Sequence, residues 1–105
     1  MTVELRCQIP NPKDLSTKTY FLDGRKLSLE ESQSVLKISN AFNHGYLDGQ
    51  GPQQLALAIC LELFDQAAAL RLYKQFHEEH IATRPLDEPF SEKLDVTKYI
   101  ELAKQ

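Results

Sequence analysis

Two histidines three residues apart, His77 and His80, enclose Glu78 and Glu79. Imidazoles and carboxylates are ligands that zinc accepts, and residues three apart share a helix face. Two ligands do not complete a site, and the order is not the His-Glu-x-x-His pattern of a metalloprotease. His44, from a separate loop, is a conceivable third ligand. The plainer reading makes these the histidines of an amphipathic helix face, so no metal and no cofactor is expected. Nucleophilic chemistry has less to stand on. Cys60 lies in a run so apolar that burial would raise its pKa and leave the thiol inert. Glu62, in the same run, is either a buried acid or the partner of an Arg or Lys at an edge. No catalytic residue is assigned, and the chain reads more readily as a non-enzyme.

A stronger constellation is the glycine-spaced loop His44-Gly45-Tyr46-Leu47-Asp48-Gly49-Gln50-Gly51, which runs into Pro52. Proline suits the first helical position, where its missing N–H would have had no partner, so Pro52 reads as the helix start. The helix start offers free N–H groups and a favourable dipole to an anion. His44, Tyr46, Asp48, Gly49 and Gly51 are therefore the candidate ligand-binding residues. No Lys, Ser or Thr follows Gly51 in the P-loop manner, and no strand immediately precedes the loop. The competing account is structural: the glycines make tight turns and let backbone pack closely.

The elements that would position this loop can be read on either side of it. From Leu55 to Phe64 only Glu62 is polar, so a helix from Pro52 to Phe64 must be buried on most sides. Asp65 is a good N-cap for a second, amphipathic helix that reaches Ile81. Together they form a helical hairpin. Upstream, Val3, Leu5, Cys7 and Ile9 alternate with polar residues, as in a half-buried strand. Asp23-Gly24 between Thr19–Leu22 and Arg25–Ser28 predicts a hairpin with a type I′ turn. Glu30–Gln33 reads as a polar connection and Ser34–Ser39 as a further strand. Arg84–Pro89, with two prolines, reads as an extended crossing. Asp95 reads as the N-cap of a short closing helix. The fold class is α+β: a small N-terminal antiparallel sheet packed on the helical hairpin, with a short C-terminal helix.

Gly45-Tyr46, Gly49, Gly51-Pro52, Gln54-Leu55-Ala56-Leu57-Ala58-Ile59, Leu72-Tyr73, Phe76 and Glu79 resemble a widespread family of short bacterial and phage proteins. That family is known only as a domain of unknown function. The resemblance spans Tyr20 to Ile81 and departs at Gln50, where the family has a small residue. It implies the fold and no activity.

Composition bounds the rest. At 105 residues the chain is expected to form a single domain, 1–105. A net charge of −3 argues against broad binding to nucleic acid, which needs a basic face. A local basic edge from Lys13, Lys18, Arg25 and Lys26 stays possible. The longest apolar run is too short to span a membrane, and Met1–Arg6 does not read as a signal peptide. The cytoplasm is therefore the expected compartment, with Cys7 and Cys60 as buried thiols. Tyr20 and Phe21 occupy adjacent strand positions, so one of them faces away from the core. Taken together, these features describe an accessory or regulatory binding module that contacts another protein. A small-ligand or anion-binding protein is the first alternative and a weak nucleic-acid binder the second.

Overall fold

The computed structural model describes residues 1–14, 17–45, 49–84 and 88–105. Four strands form one antiparallel sheet: β1 (Thr2–Gln8), β2 (Thr19–Leu22), β3 (Arg25–Lys26) and β4 (Phe90–Asp95), in the order β3-β2-β1-β4. Four α-helices accompany it: α1 (Leu29–Val35), α2 (Gln50–Leu63), α3 (Gln66–Phe76) and α4 (Thr97–Ala103). The architecture is α+β, with the helical hairpin as expected. A π-helical turn, His77–Ile81, prolongs α3, and the Ala82 N–H reaches the His77 carbonyl at 2.8 Å.

Local chemistry explains most boundaries. Asp23 and Gly24 both have positive φ, +49° and +81°, as a type I′ turn requires. Asp65 caps α3 by accepting the Ala68 N–H at 2.8 Å. α2 begins at Gln50 and not at Pro52 as its position after Gly51 suggests; the proline is the third residue of the first turn, where its missing N–H costs no intrahelical hydrogen bond. Leu55, Leu57, Ile59 and Cys60 are fully buried. They share one core with Val3, Leu5, Cys7, Tyr20, Leu22 and Leu94 from the inner face of the sheet.

Three further expectations are corrected. Ser34–Ser39 is not a strand, and Glu30–Gln33 is not a connection; both fall wholly or partly in α1 or the extended segment after it. The cause is a cap: the Ser28 hydroxyl accepts the Glu31 N–H at 3.2 Å and starts the helix at Leu29. The second concerns the sheet, expected from the N-terminal part of the chain alone, to which Phe90–Asp95 adds a strand. It pairs with β1 over Thr2–Cys7, so the sheet draws its fourth strand from the C-terminal part of the chain. Asp95 is not the N-cap of the closing helix: it ends β4, Val96 is the cap of α4, and Asp95 Oδ1 accepts the Thr97 N–H at 3.0 Å from one residue further out.

Candidate functional site

The glycine loop is bound into the protein at His44, Gly45 and Gly51. His44 is fully buried, and its Nδ1 shares a hydrogen bond of 2.7 Å with the Tyr20 hydroxyl. Its ring also meets Phe90 edge-on, with centroids 5.0 Å apart. Gly45, at φ +84°, donates its N–H to the Ile81 carbonyl at 2.9 Å. Tyr46 and Asp48 lie outside the described residues. Gly49 caps α2 without a side-chain bond. Gly51 is where backbone approach is tightest: a Cβ there would stand 2.9 Å from Asn43 Cβ and 3.2 Å from the Ala41 carbonyl oxygen.

Gln54 holds the segment between α1 and the loop, a role that its type alone did not reveal. Its side chain is fully buried. Oε1 accepts the N–H groups of Ile38 and Ser39 at 2.7 and 2.9 Å. Nε2 donates to Ser32 Oγ and to the Leu36 carbonyl at 2.9 and 3.1 Å. All four bonding positions of the amide are used, so the segment after α1 is tied to α2 without forming a strand.

The segment before the loop forms a wall. Asn40, Ala41 and Phe42 face β3 and the Leu27–Glu30 chain across a cleft of about 660 Å³. Lys18, which also lines the cleft, donates its Nζ to Asn43 Oδ1 at 2.7 Å. Tyr20 lines the cleft, but His44, Gly49 and Gly51 do not. The structure thus puts His44 and Gly51 in the packing and Gly49 at the start of α2.

A different surface lies on the outer face of the sheet. Cross-strand register lines up Lys26, Phe21, Arg6 and Ser91 in one row. Tyr20 is buried on the inner face, while Phe21 is half-buried outside, with the Arg6 guanidinium 4.7 Å above its ring. The basic edge expected from the hairpin is divided: Arg25 pairs with Glu62 at 3.4 Å, and Lys18 is directed to Asn43.

His77 and His80 both lie among packed side chains. His77 is buried, and His80 packs between Phe76 and Tyr99, with centroids 5.0 and 5.7 Å away. Among the described residues no group of three or more His, Cys, Asp or Glu is placed to hold a metal ion. Next to His80, Glu79 accepts from the Tyr99 hydroxyl and from Lys98 Nζ at 2.8 Å. The Lys98 bond, with help from Tyr99, holds the Glu79 carboxyl below the usual carboxylate range. Burial lowers the His80 pKa. Cys60 is a free, buried thiol whose pKa burial pushes up to about 12. Among the described residues no helix is long and apolar enough to cross a membrane.

The described residues form an α+β scaffold in which a four-stranded antiparallel sheet packs on a buried helix, α2. The chain belongs to a family of unknown function, DUF6166, whose model matches residues 13–101. No curated protein and no solved structure matches it.

Proposed function

We infer that the protein is an accessory binding module that acts by contacting another protein, in a bacterial or phage cytoplasm. The contact surface in this reading is the outer face of the sheet. An antiparallel sheet covered on one side normally turns a polar face to water. Here that face carries Phe21 at its centre, with Arg6 over the ring and Lys26 beside it in register. Aromatic and Arg residues are enriched where protein interfaces concentrate their binding energy. The flanking cations favour a partner segment that brings carboxylates beside an apolar side chain.

Pull-down from the native host, with wild type and an Arg6→Glu/Phe21→Ala double variant as parallel baits, tests this. A partner retained by the wild type and lost by the variant supports the reading. Recovery of the same proteins by both baits removes it. Salt-sensitive recovery of nucleic acid in place of protein would transfer the face to the nucleic-acid alternative.

A further inference from the structure

We propose that the cleft beside β3 is a binding site for a mononucleotide-sized anion, with a planar ring against Phe42 and a phosphate at the Lys26 edge. At about 660 Å³ the cleft has the size of a small-molecule site, which typically measures about 300–1,000 Å³. Its floor is apolar, because Tyr20 and Leu27 are buried beneath it. Phe42 is only partly covered and stands perpendicular to Tyr20, with ring centroids 5.9 Å apart. A partly covered aromatic in a concave wall offers a face on which a base can stack.

The rim supplies the charge. Lys18 and Lys26 line it against the single carboxylate of Glu30, opposite in balance to the whole chain at −3. Lys26 is exposed and makes no ion pair among the described residues. The Asn40 amide on the same wall offers a donor and an acceptor to a base edge.

The wall is also ordered before any ligand arrives. Tyr20 is fixed by its bond to His44, Lys18 by its bond to Asn43, and Asn43 by its packing on Gly51. Prior order lowers the entropic cost of binding. The glycine loop thus supports the site from behind.

Titration calorimetry on the full chain, with AMP and GMP, their nucleosides, inorganic phosphate and a short single-stranded oligonucleotide, tests the proposal. A mononucleotide should bind at least about tenfold more tightly than its nucleoside or phosphate, as one charge-assisted contact and one stacking contact allow. Phe42→Ala and Lys26→Glu should each weaken binding by about tenfold with unchanged circular dichroism. If Phe42→Ala does not fold, Phe42→Leu keeps the packing and removes the π-face. Arg6→Glu, on the outer sheet face, should leave nucleotide binding intact and so separates this site from the protein-contact surface. The proposal is overturned if no nucleotide binds at about millimolar concentration, or if phosphate alone binds as tightly. Preferential binding of the oligonucleotide that Arg6→Glu abolishes would overturn it as well.

Discussion

Gly51 and Gln54, three residues apart on α2, hold the loop and the segment before it by opposite means. Gly51 does so by having no side chain. Its backbone is ordinary helix, so the requirement is space and not a left-handed φ. Valine would drive its Cβ into Asn43 and toward the Ala41 carbonyl, a backbone atom that cannot swing aside. Gly51→Val should destabilise by about 1–3 kcal/mol, the usual range for an overpacked site. Pro52→Ala should cost less, about 1 kcal/mol, because it restores freedom to the unfolded chain and removes only part of a small buried ring. Urea midpoints of the two variants check the contrast; equal midpoints would mean that the loop yields easily at Asn43. Gln54 acts through its amide. Gln54→Leu strands two backbone donors and a carbonyl, and buried unsatisfied groups cost about 1–3 kcal/mol each. A loss of about 3 kcal/mol or more is expected, or failure to fold. Gln54→Glu keeps both acceptor bonds but sets a carboxylate oxygen against the Leu36 carbonyl. Protonation would restore a donor there, so this variant should regain stability relative to wild type as pH falls. A constant difference between the two from neutral to acid pH would contradict that account.

At the scale of elements, the sequence was most legible where signals are local. Asp23-Gly24 specified the hairpin, and Asp65 specified the break between α2 and α3. The unbroken apolar run marked α2 as the core. α1 was hidden because Leu29–Val35 carries few apolar residues, although Ser28 and Glu31 spell a capping box. β4 was hidden because only Phe90 and Leu94 mark its inner face, and its partner β1 lies some ninety residues away. Of the candidate site, the loop's importance was legible but its role was not, since His44 and Gly51 face protein. The junction of α4 with the π-helical turn supplies a pH test. Four charged groups, Glu79, Arg84, Lys98 and Asp95, bear on His80, and burial is the largest influence on it. A lowered folded-state pKa means that the unfolded chain binds the proton first. Stability should therefore fall as pH drops from about 6.5 through the lowered His80 pKa. Glu79, also lowered, contributes stability that is present above about pH 4.3 and lost as pH falls through its folded value. The wild-type-minus-variant difference for His80→Gln should shrink across the first window, and that for Glu79→Gln across the second. Differences that stay flat across these windows would show that neither group is linked to folding.

At the scale of the molecule, the two ends of the chain close on each other. β1 pairs with β4, the Val96 N–H bonds the Met1 carbonyl at 2.9 Å, and the Met1 ammonium donates to Thr97 Oγ1 at 2.6 Å. A central strand from one end and an edge strand from the other leave neither half able to complete the sheet alone. Such non-local pairing favours a single cooperative transition. The cysteines report on it from separate layers. Cys7 lies in β1 and Cys60 in α2, both buried in the same core. Burial raises both thiol pKa values, that of Cys7 being partly offset by Tyr20 and Lys18. A disulfide reagent should therefore reach neither thiol until the core opens. Native-state labelling should be slower than labelling of the unfolded chain by at least about a thousandfold, as about 5 kcal/mol of stability dictates. Measured separately by mass spectrometry across a urea series, the two sites should give the same opening free energy and the same urea dependence. If Cys7 reacts at much lower urea than Cys60, the sheet opens while α2 stays packed, and the closure of the termini does not govern the fold.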